Sequence, residues 1–327
     1  MLRRRPVSAR AACGSLAAIT AIALIAGACS DSLAVDDATT GSPSASVDDS
    51  TTTTSEPELE LPTGVLVAVP QQNREDPAKQ QFQVEIVNGT RERFDVSSVQ
   101  FVWEGYTTPV SERDSIVVGG QTIDFPVPFP GATCVGDGTI DTMPPLDTAV
   151  VRLGSPDGSV RDVPVVDRWH LARKLYLEDC QRQRIDEAVT IEWADLHEEE
   201  YEGRPITAGV LRLTRGTGEG EIRIEEVSGT IPYSFEAVDT AVGETVAVLP
   251  ADESTVEVPI RFVESRCDPH ALAEVKQPHK FVAQVDLGDG VLQPYVITPD
   301  RADWVPMRQR ADEACVITGQ VVFVGDD

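Results

Sequence analysis

The chain has 327 residues, with 27 Lys and Arg against 54 Asp and Glu, a net charge of -27, four His and three Met. That excess of acid argues against an extended footprint on nucleic acid or on an anionic membrane surface, and the scattered His and Met give no clustered ligands for copper carriage. Lysine occurs only at Lys79, Lys174, Lys276 and Lys280, against an Arg background, and reads as a coding bias of GC-rich DNA with no mechanistic content.

The amino-terminal stretch is a signal peptide by composition. Arg3, Arg4 and Arg5 make a positive start, residues 16–25 an apolar run too short for a transmembrane span, and Ala26-Gly-Ala-Cys29 a small-residue cleavage site ending in Cys. That ending resembles the lipobox of bacterial lipoproteins, with Ala26 where such sequences more often carry Leu. The resemblance implies diacylglyceryl transfer to Cys29, cleavage before it, N-acylation with chains such as palmitate, and attachment to the cell membrane through the lipid. Two or three acyl chains hold a protein firmly on a membrane, where one does not. Residues 1–28 are then the leader. Residues 29–63, rich in Ser, Thr, Asp and Glu, have too little apolar surface to offset the cost of ordering and form an expected disordered tether.

The first folded domain is placed at 64–200. Alternating or β-branched runs predict strands at 65–69, 82–87, 94–103, 115–118, 122–129, 149–153 and 160–165. Asn88-Gly89 and Ser155-Pro-Asp-Gly158 supply turn chemistry between them. Pro126, Pro128 and Pro259 cannot donate to a ladder, so their strands should be edges or carry bulges. One helix is expected from Asp167, a good N-cap, to about Cys180. Its apolar face would be Trp169, Leu171, Ala172, Leu175, Tyr176 and Cys180, with His170, Lys174 and Glu178 opposite. The acidic stretch 198–205 reads as a junction that a protease could cut to leave two folded pieces. The second domain, 205–327, carries predicted strands at 210–214, 221–227, 231–235, 246–249, 255–262, 280–287 and 291–298. A poor helical segment interrupted by Pro306 follows, then a last strand at 315–324.

The two domains read as an internal duplication. Thr122, Pro126, Phe129 and Cys134 recur at the same spacing as Thr255, Pro259, Phe262 and Cys267, and Trp169, Arg173, Glu178 and Cys180 recur as Trp304, Arg308, Glu313 and Cys315. Gly209-Val-Leu echoes Gly64-Val-Leu, and Val227-Ser-Gly-Thr echoes Val87-Asn-Gly-Thr. The fold class is therefore mainly β, as two tandem Ig-like antiparallel β-sandwich domains, each with one short helix and one disulfide. Cys13 leaves with the leader and Cys29 takes lipid, so four cysteines remain, and the repeat selects Cys134 with Cys180 and Cys267 with Cys315 among three connectivities. No Cys-x-x-Cys supports zinc ligation instead. The whole pattern resembles uncharacterised secreted proteins and lipoproteins of actinobacteria, a resemblance that implies no activity.

No motif with catalytic spacing occurs: there is no Gly-x-Ser-x-Gly, Ser-x-x-Lys, His-Glu-x-x-His or phosphate loop. His197 beside Glu198, Glu199 and Glu200 reads as a solvated acidic run, and Asp137 to Asp141 as a turn, with no catalytic residue, metal or cofactor expected. The densest basic cluster, Arg168, Arg173, Lys174, Arg182 and Arg184, is the expected face for a partner, an anionic cell-wall polymer or an envelope protein. The functional expectation is a membrane-anchored binding or scaffolding lipoprotein, not an enzyme. A cell-envelope hydrolase with a site unreadable from sequence is the alternative.

Overall fold

The computed structural model describes residues 63–318; the leader, Cys29, the tether and residues 319–327 lie outside them. In the first half the chain forms β1 (Leu66–Gln71), β2 (Gln81–Asn88), β3 (Phe94–Trp103), β4 (Tyr106–Thr107), β5 (Ser111–Val117), β6 (Thr122–Pro128), β7 (Val150–Gly154), β8 (Val160–Pro164) and α1 (Leu171–Ala188). The second half adds β9 (Val189–Tyr201), β10 (Arg204–Arg215), β11 (Ile222–Ser228), β12 (Tyr233–Ala237), β13 (Ala247–Leu249), β14 (Thr255–Glu264), α2 (Pro269–Glu274), β15 (Phe281–Asp286), β16 (Gln293–Ile297) and α3 (Arg301–Ile317). The fold is mainly β, built of antiparallel sheets with two disulfides.

Each half has two sheets. The orders are β1-β2-β6 and β4-β3-β7-β8 in the first, with β5 also on β3, and β9-β10-β14-β12 and β13-β11-β15-β16 in the second. Matched by pairing, β1, β2 and β6 correspond to β9, β10 and β14, and β3, β7 and β8 to β11, β15 and β16, an order compatible with an internal repeat. Two of the short echoes do not fit it. Val87 closes β2 whereas Val227 closes β11, and Gly64 precedes β1 whereas Gly209 sits in a bulge of β10.

Alternation drives the layering. Side chains pointing to one face of each strand meet those of the facing sheet, giving each half a sandwich-like core. In the first core Tyr106 is the hub, with ring centroids 5.1 Å from Phe101, 5.2 Å from Trp103 and 5.1 Å from Phe129. In the second, Phe262 lies 5.0 Å from Trp193 and 4.7 Å from Phe281. Cys134–Cys180 and Cys267–Cys315 are bonded, spanning 46 and 48 residues. In the loop-entropy account each contributes about 4 kcal/mol.

Several expectations are corrected. The helix does not stop at Cys180 but runs to Ala188, because the segment after Cys180 is made mostly of good helix formers and Ile185 is fully buried in the second core. Leu171, Ala172, Tyr176 and Cys180 pack in the first core, so α1 is shared by both. Trp169 is not on its apolar face: His170 takes a left-handed φ of 54°, the helix starts after it, and Trp169 is 53% exposed. Asp167 is not the N-cap residue, a position His170 takes, but its carboxylate reaches the first turn and accepts from the amides of Ala172 at 3.0 Å and Arg173 at 3.1 Å.

The stretch 198–205 is not a junction. It is the tip of the β9–β10 hairpin, whose partners run from Tyr201 with Arg204 to Val189 with Arg215. The change from one core to the other falls inside α1, which enters β9 directly at Val189. The last turn of α1 is held by the loop after β10, where the amides of Gly216 and Thr217 donate to the carbonyls of Ala188 at 2.9 Å and Glu187 at 2.8 Å. These are carbonyls a helix end leaves without partners of its own.

Pro306 does not end the last helix. It sits in the second turn of α3, which continues through Cys315 to Ile317, so the expected strand from 315 is helix as far as it is described. Among the Pro-bearing strands, β6 is an edge as expected. β14 is not an edge, since it pairs with β10 and β12, but Pro259 falls just beyond the last β12 partner, Ala237 opposite Ile260.

Candidate functional site

A depression lies where the two halves meet. Its first-half wall is the turn at Pro77–Lys79, the loop after β6 and the outer face of α1; its second-half wall is the segment entering β15, with β16 beside it. Three open hollows of about 650, 570 and 790 Å³ adjoin here, and Lys280 borders all three. Phe129 and Leu175 give the second and third an apolar floor, while Pro77 and Val275 do so for the first.

The charges are distributed unevenly. The first hollow is lined by Arg74, Arg266, Lys276 and Lys280 and by no acid. Arg266 is engaged with Asp268 at 2.9 Å. Lys276 and Lys280 are exposed, and neither has a carboxylate within ion-pair distance among the described residues. At the far end, Lys174 and Arg182 stand with Glu178 and Asp179. Both acids are engaged. Glu178 lies 3.8 Å from Lys174, while Asp179 accepts from the Ala132 amide at 2.7 Å and from Gln183 at 2.8 Å and pairs with Arg182 at 2.8 Å. Burial pushes the Asp179 carboxyl up, but these donors outweigh it and hold it below the usual carboxylate range.

Lys79 belongs to the same neighbourhood. Its ammonium is 3.0 Å from Glu75, and that contact together with the field of Lys276 keeps the Glu75 carboxyl low. Three of the chain's four lysines therefore border the groove and the fourth sits on the turn that forms its edge.

The five basic residues expected to form one face are not brought together. Arg168 lies over the Trp169 ring at 4.9 Å, Arg173 is half-buried, and Arg184 reaches Asp289 at 3.1 Å across the two halves. Lys174 and Arg182 reach the groove, but Arg182 is clamped between Asp179 and Asp186, the latter at 2.6 Å. Lys276, Lys280 and Arg74 were not singled out by sequence reasoning, because they are separated from Lys174 by about a hundred residues each way; the signal that could have found them is the handful of lysines in an Arg-rich chain.

The other candidates are dispersed. Residues 197–200 lie along β9, where Glu199 pairs with Arg261 at 3.0 Å and Glu198 lies 3.7 Å from Arg310. Asp137 accepts from the hydroxyls of Thr139 and Thr142, both at 2.8 Å, as a self-contained turn. Among the described residues no group of three or more His, Cys, Asp or Glu could hold a metal ion, and no helix is long and apolar enough to cross a membrane.

No protein-family model matches the chain, and no curated protein matches it. Among solved structures, it is similar to a protein of unknown function from Porphyromonas gingivalis W83 at 13% identity, over 74% of this chain and 99% of that one, with a TM-score of 0.16. A likeness at that score carries no argument about fold or function.

Proposed function

We propose that the chain is an extracytoplasmic binding module of the cell envelope, held at the membrane by lipid on Cys29 and facing an anionic wall polymer. The observation that supports this is the basic groove between the halves of an otherwise acidic protein. Opposite charge held in a concave surface attracts a ligand that the rest of the surface repels. The disulfides belong to an oxidising compartment, as extracytoplasmic proteins meet. The acids in the groove, Glu178 and Asp179, are occupied by cations and amides. A binder uses the groove as it stands, whereas a hydrolase would need a carboxylate or nucleophile left available there.

The test is fractionation. Wild-type protein is expected in the membrane fraction and in the detergent phase on partitioning, with Cys29→Ser left uncleaved or soluble, and purified wall material is expected to retain the protein in a salt-dependent way. Wild-type protein found wholly in the medium, or not retained by wall material at low salt, overturns the reading.

A further inference from the structure

We infer that the groove bordered by Lys280 binds a linear polyanion whose charges are phosphodiesters along an uncharged polyol or sugar backbone. The inference deepens the envelope-binding reading and rests on it for the compartment only. Four features carry it.

The first is sign. A hollow with four cations and no acid is improbable on a surface where acids outnumber bases two to one. The second is the type of cation. Arg presents a planar fork suited to carboxylates, and two of the groove's arginines are already engaged by acids of the chain, Arg182 by Asp179 and Asp186 and Arg266 by Asp268. What remains for a ligand is Lys276 and Lys280, point charges on long stems that suit a phosphate carrying a single delocalised charge.

The third is extent. A lone phosphate would occupy one hollow, whereas three adjoining hollows share Lys280 and reach Arg266 on one side and Lys174 on another. A ligand with repeated charges can occupy more than one of them. The fourth is the wall between the charges. Pro77, Phe129, Leu175 and Val275 offer apolar contact to a carbon backbone.

The test uses the soluble fraction of the full chain with Cys29→Ser and measures binding to immobilised poly(glycerol phosphate) across a salt series. Poly-L-glutamate, neutral dextran and a single-stranded DNA oligonucleotide serve as comparators. Poly(glycerol phosphate) is expected to bind and the neutral glycan not to, with affinity falling as salt rises. Lys280→Glu is expected to weaken binding at least about tenfold, and Lys276→Glu with Lys280→Glu to abolish it. Lys276→Gln with Lys280→Gln should lower the slope of log affinity against log salt by about 2. Both side chains are exposed, so the melting temperature should not move. Arg161→Glu, on β8 and far from the groove, should bind as wild type does.

Equal binding to poly-L-glutamate, or tighter binding to the oligonucleotide, overturns the phosphodiester assignment. Unchanged binding in the double Glu variant overturns the site. If wild-type protein is retained by wall material and the groove variants are retained equally, the envelope reading stands and this inference falls. If wild-type protein binds poly(glycerol phosphate) through Lys276 and Lys280 but is never found at the membrane or wall, the inference stands and the envelope reading falls.

Discussion

His279 lies directly behind the groove lysine, buried between two rings, with centroids 4.9 Å from Trp304 and 5.7 Å from Tyr233. Its Nε2 is 3.5 Å from the Tyr233 hydroxyl and its Nδ1 has no partner. Burial pushes the imidazole below its ordinary value of 6.5, and the nearby Arg308 guanidinium pushes it the same way. The folded protein thus holds His279 neutral while the unfolded chain protonates it near 6.5. Stability is therefore full above about 6.5 and falls as pH drops from there to the lower native value, by at most about 1.4 kcal/mol per pH unit. Thermal unfolding between pH 8 and 5 should show that fall, and His279→Phe, which keeps a ring in the stack and removes the titrating group, should flatten the pH 6.5 to 5.5 part of the profile. An identical profile in the variant would refute the assignment. None of this was legible in sequence, where His279 is one of four scattered histidines and nothing marks it as stacked.

At the scale of elements, α1 carries the most consequence. Its first half belongs to one core and Ile185 to the other, and Gly216 lets the β10–β11 loop approach its end, since a Cβ there would come 2.3 Å from the Glu187 carbonyl oxygen. Ile185→Ala should cost about 2 to 5 kcal/mol through the cavity it leaves, and Gly216→Ala about 2 kcal/mol through displacement of that loop. In both variants calorimetry should still give one transition for the two halves, and resolved separate transitions in the wild type would contradict the shared helix. The strands were largely readable because alternation such as that of Phe94 to Trp103 has a period that few other structures impose. The continuation of α1 was not, because residues 181–184, Gln-Arg-Gln-Arg, interrupt the apolar pattern before Ile185. The end of α3 was misread for the opposite reason. Val316 and Ile317 begin a β-branched run that looks like a strand, while Pro306 looks like a break, yet a Pro in the second turn removes a single helical hydrogen bond and the Cys267–Cys315 bond fixes the helix beyond it.

For the whole molecule, the disulfide pairing was visible in the spacing of Cys134, Cys180, Cys267 and Cys315, but the boundary between the halves was misplaced because acidity at 198–202 resembles a linker. Those acids face solvent along β9, whose inward residues Ile191 and Trp193 are buried in the second core. A protease site inserted at the Glu202–Gly203 turn should therefore give two pieces that co-elute under native conditions, since the cut leaves β9 paired with β10. Separation of two folded fragments would restore the earlier boundary. The groove belongs to this scale too, because residues from both halves must be placed before its lysines become neighbours.

The placement of β1 also has a mechanical side. The chain enters β1 at Leu66, and the strand runs to Gln71, next to the turn that edges the groove, while β2 starts at Gln81 and returns antiparallel from Gln71 opposite Gln83 to Leu66 opposite Asn88. A pull on the amino-terminal side, opposed by a ligand gripped in the groove, acts at opposite ends of these two strands. It loads their six cross-strand pairs together in shear, not one after another as in unzipping. A protein tethered through its amino terminus and holding a long polymer would thus meet tension along its most resistant direction.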